Sequence, residues 1–163
     1  MPTASLIRHA HDRDIALIVP LVHQYWEFEH IEGFDPTRIA SLLTGLLAQP
    51  NQGRIWVAEN DGQLSAYLLV TLVFSLEHGG VMAEIDEFFV SPTQRSAGLG
   101  ARLLQQAETE LAAMSVVRLQ LQLGRENAKA RAFYHRHGFM EREGYELLDK
   151  PLSSAIRPRS SFI

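Results

Sequence analysis

The stretch Glu84 to Leu104, Glu-Ile-Asp-Glu-Phe-Phe-Val-Ser-Pro-Thr-Gln-Arg-Ser-Ala-Gly-Leu-Gly-Ala-Arg-Leu-Leu, admits few folds. Its β-branched and aromatic opening reads as a strand that ends at Val90. Ser91-Pro92 stops that strand, because proline has no N–H to give a ladder. A polar loop then delivers Gly98 and Gly100, and Leu99, Leu103 and Leu104 begin a helical stripe. Strand, glycine loop and helix N-terminus in that order make an anion site. The free N–H groups of the first turn and the positive end of the helix dipole point at whatever lies over the loop. The glycines remove side chains where a phosphate must approach the backbone. The order therefore predicts a pyrophosphate at this loop. Lys-Ser/Thr does not follow the glycines, which argues against a Walker-type ATP site, and Gly-x-Gly-x-x-Gly is missing too.

The rest of the chain fits one domain over residues 1–163, long enough for a substantial core. A formal charge of −4 argues against nucleic acid, whose binders carry a basic face. The absence of cysteine excludes disulfides, thiolate metal sites and cysteine nucleophiles. Met-Pro-Thr-Ala-Ser has neither the charged nor the apolar region of a signal peptide, and the longest apolar run, Ala66 to Phe74, is far short of a membrane span. The expected setting is the cytoplasm.

Taken in order, Ser5 to Arg8 is a short candidate strand. Asp12 is placed to N-cap a helix bearing Ile15, Leu17, Ile18, Leu21 and Val22, which Pro20 should kink or end early. Pro36 suits the first turn of a second helix, with Ile39, Leu42, Leu43, Leu46 and Leu47 as its apolar face. Arg54 to Glu59 and Leu64 to Phe74 flank Asn60-Asp61-Gly62-Gln63 as a hairpin. His78-Gly79-Gly80 leads into the strand ending at Val90, giving three consecutive antiparallel strands. A helix to about Met114 then precedes a strand at Arg118 to Leu123, parallel to the Glu84–Val90 strand through a right-handed crossover. Asn127 opens a helix through Ala130, Phe133, Tyr134 and His137 that Gly138 closes. Phe139 to Glu143 and Tyr145 to Leu152 read as a last hairpin, and residues 153–163 as a tail.

Two segments resemble one family. Arg95-x-x-Gly98-x-Gly100 after a strand ending in Val90 resembles the acyl-CoA pyrophosphate loop of the GNAT superfamily of N-acetyltransferases. Asn127, Ala130 and Phe133-Tyr134, followed by Gly138-Phe139, resemble that family's pantetheine-side helix. The likeness spans about residues 3–152, with its motif core over 81–140. Ile85-Asp86-Glu87-Phe88-Phe89-Val90, with Glu143-Gly144-Tyr145, is nearest to the spermidine/spermine (diamine) acetyltransferase branch. The resemblance implies an α/β fold: a mixed, mostly antiparallel sheet with a splayed parallel pair and flanking helices. It implies acetyl-CoA as co-substrate, with its pantetheine along the backbone near Phe88 and Val90. Its pyrophosphate would lie on N–H groups of Arg95, Ser96, Ala97, Gly98, Leu99 and Gly100, with Asn127 contacting pantetheine. It implies an acetyltransferase acting on a primary amine, and a homodimer is common in the family.

Attack on a thioester needs a neutral amine, so a carboxylate is useful as proton acceptor. Strand alternation places Glu84, Asp86 and Phe88 on one face and Ile85, Glu87 and Phe89 on the other. The resemblance gives the acceptor role to Glu84 or Asp86, favouring Asp86, and the thiolate-protonating role to Tyr134. The same positions are also read as a solvated strand face and an interfacial tyrosine. Glu87 reads as structural. Trp26, Phe28 and Glu29 follow the first helix, where the family binds its acceptor. Glu27, Glu29 and Glu32 with Glu77, Glu84 and Asp86 suggest an acidic cleft for a small cationic amine. Protein lysines or N-termini are the alternative acceptors, and a non-catalytic acyl-CoA sensor is the alternative of another class. The seven histidines lack ligand spacing, His135 and His137 diverging on a helix, so no metal is expected.

Overall fold

The computed structural model describes residues 5–95 and 98–153. Ser96, Ala97 and the tail beyond Ser153 lie outside the described residues. Among the described residues five strands form one sheet in chain order: β1 (Leu6–His9), β2 (Gly53–Asn60), β3 (Gln63–Ser75), β4 (Gly80–Val90) and β5 (Arg118–Leu121). β1 to β4 pair antiparallel in turn, and β4 pairs with β5 in parallel. The helices are α1 (Ile15–Phe28), α2 (Pro36–Leu47), α3 (Leu99–Ala113) and α4 (Ala128–Arg136). The mixed, mostly antiparallel sheet with one parallel pair is the expected architecture.

The sheet is buried on both faces. Trp56, Leu68, Val70 and Ile85 pack against Leu103, Leu104 and Leu111 of α3. Val57, Tyr67, Leu69 and Phe89 pack on the other face against Ile18, Leu21 and Val22 of α1 and Ile39 and Leu43 of α2. This is why β3 reads as an unbroken apolar run rather than an alternating one. The β2–β3 turn holds Asp61 at φ 49° and Gly62 at φ 75°, the two left-handed residues of a type I′ connection.

Four local expectations need correction. Asp12 lies inside a single 3₁₀ turn, Asp12–Asp14, and the residue preceding α1 is Asp14. Its carboxylate accepts from the His11 N–H at 2.7 Å and from Arg8 at 2.7 and 2.9 Å, and it is 3% exposed. Pro20 does not end α1, which continues to Phe28. Of the expected apolar face of α2, Ile39 and Leu43 are buried, whereas Leu42 is exposed.

The C-terminal hairpin is absent: residues 139–153 contain no strand. Glu143-Gly144 does form a turn, with Gly144 at φ 80°. Its first arm is held elsewhere, Glu141 by Arg131 and His135 of α4 and Arg142 by Glu77 and His78. Leu147-Leu148 also breaks the alternation a strand needs, and Pro151 has no N–H.

Candidate active site

β4 is the axis of the site. Its ladder with β5 runs only from Met82 opposite Arg118 to Ile85 opposite Leu121. Beyond Ile85, β4 continues to Val90 with β3 as its ladder neighbour. The backbone of residues 86–90 on the β5 side is thus presented to the gap where the parallel pair has splayed.

The splay starts at a bulge. Val70 of β3 faces Ile85 and Leu69 faces Glu87, so Asp86 is an extra residue in β4. An extra residue reverses the in–out alternation after it. Ile85, Phe88 and Val90 therefore share the α3 side, whereas Glu87 and Phe89 face α1. The expected grouping of Glu84 with Asp86 and Phe88 is overturned. Glu84 lies on the side of Glu87, and Asp86 is exposed at the bulge itself.

The two candidate proton acceptors consequently differ in setting. Glu84 accepts from the side-chain amides of Gln120 at 2.8 Å and Gln122 at 2.9 Å. It opens on a cleft of about 250 Å³ shared with Glu77, His78 and Arg142 at the β3–β4 tip. Asp86 lies nearer the end of β4, towards Val90. The acidic set thus splits, with Glu77 and Glu84 at that tip and Glu29 towards Tyr134.

At the end of β4, Gly98 has φ 71° and starts α3, its carbonyl accepting from the Arg102 N–H at 3.1 Å. A left-handed residue there favours glycine. Gly100 has no such backbone reason. A Cβ on it would meet Val90 Cγ2 at 3.5 Å, Phe88 Cζ at 3.7 Å and Phe133 Cε2 at 3.8 Å, all ordinary contacts. Packing within the chain therefore does not demand glycine at Gly100. Those distances also show where β4, α3 and α4 converge. Arg95 does not extend its side chain over the helix N-terminus. Its Nε donates to the Val90 carbonyl at 2.9 Å, and its guanidinium lies 5.2 Å from the Phe28 ring centre and 5.5 Å from that of Phe89.

α4 supplies the far wall. Asn127 caps it, its side-chain oxygen accepting from the Ala130 N–H at 3.1 Å. At the other end the Phe139 N–H reaches the Tyr134 carbonyl and the Gly138 N–H that of His135, a Schellman closure with Gly138 at φ 84°. Tyr134 packs edge-on against Phe133 and Phe139, both at 5.3 Å. Burial, and next the charge of Glu29, push its phenol up to about 12.

The end of α1 closes the third side. Trp26 Nε1 donates to Glu87 Oε1 at 2.6 Å, and the hydroxyl of buried Tyr67 donates to Glu87 Oε2 at 2.8 Å. The structure thus gathers Trp26, Phe28, Glu29, Phe88, Val90, Arg95 and Tyr134 round the end of β4. Glu87, read from sequence as merely structural, links the walls. No sequence signal marked that link, because Trp26 and Glu87 are 61 residues apart.

Residues 18–139 match the family model described as the acetyltransferase (GNAT) family. An uncharacterized N-acetyltransferase of Bacillus subtilis (strain 168), YhfO, is 30% identical over 139 residues, covering 85% of this chain and 92% of the relative. An integron cassette protein from the mobile metagenome of Cole Harbour Salt Marsh superposes with a TM-score of 0.78 at 31% identity, over 90% of each chain. A predicted acetyltransferase from Clostridium acetobutylicum, solved with acetyl-CoA, shares the fold with a TM-score of 0.75 at 20% identity, over 89% of this chain and 96% of that one.

Proposed function

The chain belongs to the GNAT family of N-acetyltransferases, and from that premise we propose that it moves acetyl from acetyl-CoA to a small cationic primary amine by direct attack on the thioester. The observation that carries this reading is the splay of β4 from β5 after Ile85, beside the N-terminus of α3.

The residues present fit the co-substrate. The N–H groups of the first turn of α3 have no acceptor within the helix and suit a pyrophosphate. Gly98, Leu99 and Gly100 would supply them, with the backbone of Arg95, Ser96 and Ala97. The exposed strand edge at Phe88 and Val90 suits an amide-bearing extended arm. Asn127 uses Oδ1 to cap α4, which leaves its amino group as a donor towards that arm.

In the reaction the amine nitrogen bonds to the acetyl carbonyl carbon and the carbon–sulfur bond breaks. Asp86 accepts the proton the amine must lose, with Glu84 the second candidate. Asp86 lies nearer the end of β4, beyond the last β5 rung at Ile85, whereas Glu84 lies within the paired part of the strand. Tyr134 gives a proton to the departing thiolate, and its raised pKa keeps the phenol protonated for that purpose. Glu29, Phe28 and Trp26 form the wall on which a cationic acceptor rests.

The test is a panel of acceptors read by released CoA thiol. Putrescine, spermidine and spermine should outpace a lysine peptide and a free N-terminal peptide by tenfold or more in kcat/KM. Peptides ahead of every polyamine would move the acceptor to proteins. Tight CoA binding with no stimulation by any amine would indicate the sensor.

A further inference from the structure

We propose that Glu87 is a positioning residue: its carboxylate clamps the acceptor-side end of α1 onto β4 through Trp26 and Tyr67. The inference rests on the acetyltransferase reading for its kinetic consequence, but not for its structural one. Glu87 Oε1 accepts from the indole N–H at 2.6 Å and Oε2 from the phenol at 2.8 Å. Tyr67 is fully buried in β3 and cannot move with α1, so the fixed end of the clamp is the sheet. Trp26 is the moving end, two residues before Phe28 and three before Glu29.

The bulge makes this arrangement possible. Without the extra residue at Asp86, Glu87 would face the α3 side with Ile85. With it, Glu87 turns under α1, and Asp86 is left exposed beside it. One irregularity thus separates two neighbouring carboxylates into a fixed one and an exposed one. The Phe28 end of α1 is held a second time by the Arg95 guanidinium. Loss of the Glu87 clamp would loosen the wall without dismantling it.

A positioning role and a proton-accepting role predict opposite results for the conservative variant. In Glu87→Gln, the amide oxygen still accepts from Trp26 and the amide nitrogen donates to a Tyr67 hydroxyl that has only to rotate. Both ties survive, whereas the base is lost. The experiment compares Glu87→Gln, Glu87→Ala and Trp26→Phe in the full chain, with spermidine and acetyl-CoA as probes. Glu87→Ala and Trp26→Phe should raise KM for spermidine about tenfold, leaving kcat and the KM for acetyl-CoA within about threefold. Glu87→Gln should stay within about twofold of the parent in all three. Combining Trp26→Phe with Glu87→Ala should cost no more than Glu87→Ala alone, because Glu87→Ala already removes the link that Trp26→Phe cuts.

Amide hydrogen exchange gives a readout independent of turnover. Residues 25–31 should exchange faster in Glu87→Ala and Trp26→Phe, with α3 unchanged. Loss of kcat in Glu87→Gln by about a hundredfold would overturn the proposal in favour of direct catalysis. Unchanged exchange at 25–31 in both Trp26→Phe and Glu87→Ala would overturn it outright, and if Glu87→Ala does not fold, Trp26→Phe decides. A parent protein that releases no thiol with any amine refutes the acetyltransferase reading, and the exchange result still decides the clamp.

Discussion

Tyr134 is where the chemistry can be tested most narrowly. It lies against Phe133 and Phe139 and is largely buried, which raises its pKa to about 12. Raising the pKa of an acid favours its protonated form, so Tyr134 stays a donor through the whole neutral and mildly alkaline range. Tyr134→Phe should therefore lower kcat by about 10²–10³-fold while the KM for the amine barely moves. An unchanged kcat would remove Tyr134 from the mechanism. The charge of Glu29 is the second contributor to the shift, after burial. Glu29→Gln should then bring any alkaline limb due to Tyr134 to lower pH, which a kcat–pH profile reads directly.

At the scale of elements, the turns and the α4 cap at Asn127 were legible, whereas the start of α1, expected at Asp12, and the bulge were not. Asp35-Pro36 announces α2, and the Asp35 carboxylate does accept from the Arg38 N–H. Asp61-Gly62, Gly98 and Gly138 each mark a left-handed residue. These signals are local: the residue type itself decides the backbone. The bulge depends on how thirteen residues of β3 register against β4, and nothing within Ile85-Asp86-Glu87 reveals it. The assignment of carboxylates to faces failed for that reason alone. The missing C-terminal hairpin failed differently: its turn was legible, but side chains of α4 and of the β3–β4 tip capture its first arm.

Asn127 joins element to site. Asn127→Ala removes the α4 cap and should cost about 1 kcal/mol, seen as a fall in Tm of about 2–4 °C. If its amino group also meets the pantetheine arm, the KM for acetyl-CoA rises in the same variant, whereas Asn127→Asp, which keeps the cap, restores stability and not affinity. A KM for acetyl-CoA equal to the parent's in both variants would leave Asn127 a cap alone.

At the scale of the molecule, one charged corner ties the first strand to the rest. Arg8 holds Asp14 with two bonds and Glu59 with another. The Arg8 hydrogen bonds, with that from the His11 N–H, hold the Asp14 carboxyl below its usual range against the opposing effect of burial. A depressed folded-state pKa adds stability above the unfolded value of about 3.8, and that stability is lost as pH falls through the lower folded value. Asp14→Asn leaves Arg8 without its fork partner and should cost on the order of 3 kcal/mol at pH 7. The difference in Tm between parent and variant should shrink as pH drops below 4. A difference independent of pH would assign the cost to packing instead.

Strand order in the sheet is the same as strand order in the chain. As the polypeptide leaves the ribosome, β3 and β4 each emerge directly after the strand they pair with, across short connections, whereas α1 and α2 separate β2 from β1. β2 to β4 can zip without waiting for distant sequence, with low loop-closure cost. β5, held by four rungs, must cross over α3 to find its place, as β2 must return past α1 and α2 to meet β1. Synthesis would therefore complete the acceptor wall of α1 and the Glu87 clamp first, and α4 with Tyr134 last. A chain stopped before residue 118 would carry the clamp and Gly98–Gly100 but not Tyr134, and under the proposed mechanism it could not turn over until α4 arrives.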